Sequence, residues 1–346
     1  MRPAGNDMQF DIRNYTDIHI HTNGPVGHDA DIKDLVDVEG SLLYPGAKSA
    51  TTEHAALFYE LITAARAHKK ADFLVEVKRS FFRVRRDDYA VDGTWYRFRR
   101  MADEAPELDT LRLKLPQPMR NALLHESLLK GGLILIVGGP GCGKTTSASA
   151  TVVSRLKAHA GVAFTVEDPA EMPLNGRHGE GYCTQSEVAG ESGRDWVESM
   201  RGILRSQPVG TPLMLYVGEI RDAEAARVML RAASNGFLVI CTAFGADIIT
   251  GLDSLFQLVG DTYSVTLAQV LRVVVHQNLR DDRLTAEMLC SDGPTSRVAA
   301  TIRNGPSALP QLRNEIQVQR NAMILSGGSS TEATFSRPAP LAAARA

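Results

Sequence analysis

The chain has 346 residues, 44% of them apolar and 23% charged, with a formal net charge of −2. That length accommodates two or three domains with their own cores, and the near-neutral charge offers no general attraction to nucleic acid. No stretch approaches 18 consecutive apolar residues, and the opening MRPAGNDMQFDIRNY lacks the apolar run of a secretory leader, so a cytoplasmic protein is expected. Cys142, Cys183, Cys241 and Cys290 form no C-x-x-C pair. Zinc-knuckle and dithiol chemistry are thereby removed, leaving reduced, mostly buried thiols.

Along the chain, Asp17 to Ile20 and Phe73 to Val77 read as strands. Between them Glu53 to Lys69 carries Ala56, Phe58, Tyr59, Ile62 and Ala65 at helical spacing. Phe82 to Arg85 and Tyr96 to Arg99 alternate apolar with basic residues, which places the arginines on one strand face, and Asp92-Gly93 is a hairpin signal. Residues 1–110 are expected to form an α+β domain. Pro106 and Pro116 punctuate a connecting stretch from Asp103 to Leu115, and residues 111–128 are assigned as a linker. Over 129–285 the continuous apolar runs Leu133 to Val137, Val162 to Val166, Leu213 to Val217 and Phe237 to Thr242 alternate with helical segments. That texture predicts an α/β domain with a parallel sheet covered on both faces. A helix from Asp222 to Asn235 stops at Asn235-Gly236. Thr295 to Arg303 and Leu309 to Met323 read as short C-terminal helices within 286–325, and 326–346 as a disordered tail.

Three segments carry chemistry. Gly138-Gly139-Pro140-Gly141-Cys142-Gly143-Lys144-Thr145 fits G-x-x-x-x-G-K-[ST], the phosphate-binding loop, between a buried strand and a helix opening at Thr146. Its backbone N–H groups and helix dipole attract phosphate, Lys144 neutralises β- and γ-phosphate charge, and Thr145 can hold Mg²⁺. Glu167, Asp168 and Glu171 follow a strand at the edge where open α/β sheets bind ligands. They can position water or Mg²⁺, or simply end the strand in a turn. Leu213 to Val217 leads to Gly218-Glu219, where a carboxylate can orient or deprotonate water; Asp222 suits a helix cap.

The order of these motifs, with Gln185-Ser186-Glu187, the segment from Leu204 to Pro208 and Val217 to Asp222, resembles the secretion and pilus ATPases. Within them the chain is most similar to the PilT-like branch: pilus-retraction motors and the DotB-like ATPases of type IVB secretion and conjugation. Thr16 to Ile20, Asp72 to Val77, Phe82 to Val84 and Phe98-Arg99 are similar to that branch's N-terminal domain, and Val298 to Gly305 and Gln311 to Gln317 to its C-terminal helices. The resemblance covers about residues 10 to 322. It implies a RecA-like P-loop ATPase core after a PAS-like N-terminal domain, a homohexameric ring, and ATP with Mg²⁺ as cofactors. Thr145 and Asp168 would hold the metal, and Gly138 to Thr146 the nucleotide. Glu219 would be the catalytic carboxylate, assisted by Glu167. Arg83 and Arg99, with Arg201 and Arg205, would meet phosphoryl charge. A cytoplasmic ring on an inner-membrane platform follows, powering secretion, conjugation or pilus dynamics.

The family's histidine box reads here Gly236 to Gly245, with Phe237 and Phe244 where histidines stand. Both replacements are expected to alter γ-phosphate sensing, which leaves open a ring subunit that binds ATP and hydrolyses it weakly. A RecA-like DNA motor would need a basic lining, and the basic runs Lys78 to Arg86 and Arg97 to Arg100 are strand faces, so no nucleic-acid partner is expected. The missing C-x-x-C favours the retraction or type IVB branch over the assembly branch.

Overall fold

The computed structural model describes residues 12–27, 30–188, 193–220, 222–281 and 283–325. Residues 1–11 of the opening segment, Arg221 and the tail 326–346 lie outside the described residues. Two compact units form: Met1–Glu104 with Asp168–Pro173, and Ala105–Glu167 with Leu174–Ala346.

The first unit contains β1 (Asp17–Thr22), α1 (Ile32–Leu35), β2 (Val36–Tyr44), β3 (Lys48–Ser49), α2 (Ala55–Ala65), β4 (Asp72–Val77), β5 (Ser80–Ala90) and β6 (Gly93–Arg100). The strands form an antiparallel sheet in the order β3-β2-β1-β6-β5-β4. Period-two alternation decides its faces. Ile18, Ile20, Phe73, Val75, Phe82, Val84, Tyr96 and Phe98 are buried in one core with Phe58, Leu61, Ile62 and Ala65 of α2. Arg83, Arg85, Arg97 and Arg99 occupy the alternate positions. Arg83 lies opposite Arg99 and Arg85 opposite Arg97, a like-charge arrangement that costs stability unless carboxylates intervene. They do: Arg85 pairs with Asp72, Arg97 with Asp87 at 2.9 Å and Arg99 with Asp17 at 2.8 Å.

The second unit contains α3 (Gln117–Leu124), β7 (Gly132–Val137), α4 (Lys144–His159), β8 (Val162–Val166), β9 (Gly176–His178), β10 (Gly181–Thr184), α5 (Gly193–Arg205), β11 (Leu213–Glu219), α6 (Ala223–Ser234), β12 (Leu238–Ala243), α7 (Ile248–Val259), α8 (Ser264–Val270), β13 (Leu271–Arg280), β14 (Arg283–Cys290), α9 (Arg297–Arg303) and α10 (Leu312–Leu325). The sheet order is β14-β13-β7-β12-β11-β8-β10-β9. It is parallel from β13 to β10 and closed at each edge by an antiparallel strand. β7 is buried at every residue because helices cover both of its faces, which is why its sequence is a continuous apolar run. The architecture is α/β, with a parallel sheet preceded by an α+β unit.

Two sequence boundaries need correction. The stretch 111–128, assigned as a linker, folds: Leu111, Leu115, Met119, Ala122, Leu123 and Leu128 are buried, and α3 lies within it. Its carbonyl end is gripped by the P-loop helix, with Arg155 Nη1 donating to the Leu123 and His125 carbonyls at 2.8 and 3.3 Å, and His159 Nε2 2.6 Å from the Leu124 carbonyl. A cation complements the negative end of a helix dipole, although burial lowers the Arg155 pKa to about 10. Position 285 falls inside β14, so the sheet continues past the end assigned to the ATPase domain. The β13–β14 hairpin turns at Asp281 (φ +47°).

Candidate functional site

The P-loop is built where β7 hands over to α4. Gly141 (φ +69°) and Gly143 (φ +86°) adopt the left-handed region, and such alternation of hand gathers successive N–H groups toward one concavity. The loop is tight at its root and open at its rim. A Cβ on Gly138 would lie 2.4 Å from the Gln277 carbonyl oxygen and 2.5 Å from Cys142 Sγ, whereas nothing comes within 4 Å of one on Gly139 or Gly141. Pro140 sits at the exposed rim, and Thr145 and Thr146 are half-buried in the first turn of α4.

Lys144 is the most telling side chain. It is only 9% exposed, and its Nζ donates to the carbonyls of Gly138 at 3.0 Å and Gly139 at 2.8 Å. The Phe244 ring lies over it, 4.4 Å from Nζ to centroid. Among the described residues no carboxylate pairs with this ammonium. A buried cation without a counter-ion, at a helix N-terminus whose dipole is also positive, is a strong electrostatic demand for an anion.

Carboxylates stand farther along the same sheet edge. Val217 of β11 is in register with Val166 of β8, which sets Glu219 and Glu167 at neighbouring strand tips. β12 separates β11 from β7, so two strand spacings, about 10 Å, lie between the loop and the Glu219 strand. Thr242 Oγ1 donates to the Gly218 carbonyl at 3.2 Å and steadies that tip. Glu167 is buried, and a Cβ on Gly218 would sit 3.8 Å from its Cγ. Gln185 Nε2 donates to Glu167 Oε1 at 2.8 Å, while Gln185 Oε1 accepts from the Leu174 and Asn175 N–H groups at 3.0 and 3.3 Å. Below, the Cys183 thiol is pushed up to about 12 by burial and by the Glu167 charge, and burial alone takes Cys241 to about 12, which makes both inert.

The remaining expected site residues are distributed differently. Arg83 and Arg99 belong to the first unit, where Arg83 Nη1 donates to Glu171 at 3.0 Å and Arg99 is bonded to Asp17. Asp168 also falls in that unit, with Oδ1 3.6 Å from Lys70 Nζ, so the two residues expected to share a metal are divided between the units. Arg201 and Arg205 are exposed on α5, and Arg201 lies 3.7 Å from Glu224. Asp222 caps α6 as expected, accepting from the Glu224 and Ala225 N–H groups, each at 2.9 Å.

The two phenylalanines separate. Phe244 lies at the carboxyl tip of β12, beside the loop. Phe237 precedes the strand, its carbonyl accepting from Gly132 N–H at 3.0 Å, and its ring is fully buried. The six residues of β12 lie between them, a separation of about 23 Å in extended chain. The expectation that both alter γ-phosphate sensing is therefore corrected: Phe237 is a core residue at the far end of the strand. Phe237→His should lower stability by about 2–4 kcal/mol, by burying a polar ring, and leave nucleotide affinity unchanged. Phe244→His, at a half-exposed position, should move stability by no more than about 0.5 kcal/mol. Urea unfolding with ADP titration on each variant checks both.

Gln277, on β13, carries no motif, yet its Nε2 donates to the Cys142 carbonyl at 2.6 Å inside the P-loop. No local signal marks it, because the contact spans 135 positions.

An α/β core with a P-loop after an inner strand of a largely parallel sheet, and acids at two neighbouring strand tips, defines a P-loop nucleotide-binding protein of the RecA-like type. A model of the type II/IV secretion system protein family matches residues 62–322, and the chain belongs to that family. The protein transport protein HofB homolog of Haemophilus influenzae is 32% identical over 173 residues, covering 50% of this chain and 34% of that protein. The type IV pilus assembly ATPase PilB of Acinetobacter baylyi is 32% identical over 179 residues, covering 51% of this chain and 27% of that one. The chain thus spans about a third or less of the length of these relatives. Among solved structures, the pilus retraction motor PilT with bound ADP superimposes with a TM-score of 0.64 at 21% identity, covering 94% of both chains. The Legionella pneumophila ATPase DotB gives 0.63 at 21% identity, covering 91% of this chain and 88% of that one. At such identity the likeness is one of fold.

Proposed function

We propose that this chain binds and hydrolyses ATP as one subunit of a homohexamer that powers type IV secretion, conjugation or pilus dynamics. The observation that carries the reading is Lys144: a buried ammonium with no carboxylate partner among the described residues, held in a glycine cradle. Loop N–H groups and Lys144 would hold the β- and γ-phosphates. Among the described residues no cluster of three or more His, Cys, Asp or Glu could hold a metal ion. Mg²⁺ would therefore rest on the Thr145 hydroxyl and the nucleotide's own oxygens, with Asp168 as the proposed carboxylate neighbour. The ion supplies neutralisation of phosphate charge. Glu219 would orient and deprotonate the attacking water, and Glu167, fixed by Gln185, would assist. Arg83 and Arg99 would each have to exchange a carboxylate partner for phosphoryl oxygens, and Arg201 and Arg205 would add positive charge.

Among the described residues no helix is long and apolar enough to cross a membrane. Residence in the cytoplasm, with attachment to an inner-membrane platform through partners, completes the proposal. The branch of retraction motors and type IVB ATPases is favoured by the absent C-x-x-C. A second reading, a ring subunit with weak turnover, draws on Phe244 lying over Lys144. Steady-state phosphate release, with native mass measured in Mg²⁺-ATP, tests both. Turnover by a particle of six 37.6 kDa chains supports the first reading, whereas a nucleotide-loaded hexamer without turnover supports the second.

A further inference from the structure

The loop carries a device that its own motif does not contain. β13 runs parallel beside β7, with His276 in register with Val137, so Gln277 arrives beside Gly138. From there it touches the loop twice. Its backbone carbonyl occupies the space a Gly138 side chain would need, 2.4 Å from the Cβ position. Its amide crosses to the other end of the loop and donates to the Cys142 carbonyl at 2.6 Å.

The orientation of that amide is fixed by chemistry. Turning it over would put two carbonyl oxygens 2.6 Å apart with no proton between them. As it stands, Gln277 is 1% exposed, and its Oε1 has no hydrogen-bond partner among the described residues. A buried acceptor left unmet destabilises the fold. A residue needed for packing alone would be served by an apolar side chain of the same length. The one bond that the amide makes is therefore its distinguishing contribution.

That bond sets the direction of a peptide plane. In a trans peptide the C=O of one residue and the N–H of the next point opposite ways. Anchoring the Cys142 carbonyl on β13 aims the Gly143 N–H away from β13. Gly141 and Gly143 flank Cys142 in left-handed conformations, and glycine places little steric restraint on rotation of such a plane. Without an anchor the plane can flip and present a carbonyl where an anion needs a donor.

We infer that Gln277 is a positioning residue for the nucleotide phosphates, locking the Cys142–Gly143 peptide with its N–H turned toward the phosphate-binding side. The inference rests on the proposal that this loop binds nucleotide.

The test uses the full chain and a fluorescent methylanthraniloyl derivative of ADP. Gln277→Met keeps length and bulk but cannot donate; Gln277→Glu keeps shape but sets an acceptor against the Cys142 carbonyl. Gln277→Met should bind the probe about tenfold more weakly. Its nucleotide-free unfolding midpoint should be unchanged or higher, since the unmet acceptor is gone. Gln277→Glu should bind more weakly still, and it provides the answer if the methionine variant does not fold. A merely structural glutamine would lose stability and affinity together. Unchanged affinity in a folded variant, or a loss matched by destabilisation, overturns the inference while the nucleotide reading stands. Failure of the unaltered chain to bind the probe overturns both, and that result appears before any variant is made.

Discussion

Replacing Lys144 by alanine is expected to weaken ADP and ATP binding by on the order of 10²-fold or more, which at micromolar protein abolishes measurable binding. The size follows from burial. At the surface an ammonium acts through water, but Lys144 is 9% exposed and sits where the dipole of α4 adds to its field. The same substitution should cost little stability, because it removes a buried cation that among the described residues is met by two carbonyls and an aromatic face rather than by a carboxylate. Fluorescent ADP titration and thermal unfolding on one preparation check this. Retained affinity would remove the observation on which the proposed function stands.

Replacing Glu219 by glutamine is expected to leave ATP binding within about threefold while cutting phosphate release by a factor on the order of 10² or more. Glutamine keeps the shape at the β11 tip and the strand pairing with Thr242 but cannot take a proton. Glu219 is two strand spacings from the loop, so loss of its charge bears on the attacking water more than on bound phosphate. Single-turnover hydrolysis beside equilibrium binding separates the two effects. Unchanged turnover in the variant would transfer the role to Glu167, which stands on the next strand and is already held by Gln185.

The P-loop was legible because eight contiguous residues carry its signature: glycines for the turn, a lysine, and a helix start. Glu167 and Glu219 were legible because a carboxylate ending an apolar strand is conspicuous, and the arginine faces because period-two alternation is local. Gln277 was not legible. It is one polar residue in a strand, and its meaning comes from a partner far away in sequence and one strand away in space. Phe237 and Phe244 show a different limit. A motif aligns both with histidines as if they shared a site, but a strand of intervening residues carries them to opposite ends of β12. The stretch 111–128 misled because prolines and short apolar runs read as connection until α3 is seen against the P-loop helix.

The two ends of the larger sheet are closed differently from its middle. β9 is three residues long and begins at Gly176, and β14 carries Arg283 and Glu287 along its length. Short and charged margins are poor templates for strand addition. Open strand edges invite pairing between chains, and these margins counter it in the larger sheet. The larger sheet therefore presents little free backbone to a strand from another chain.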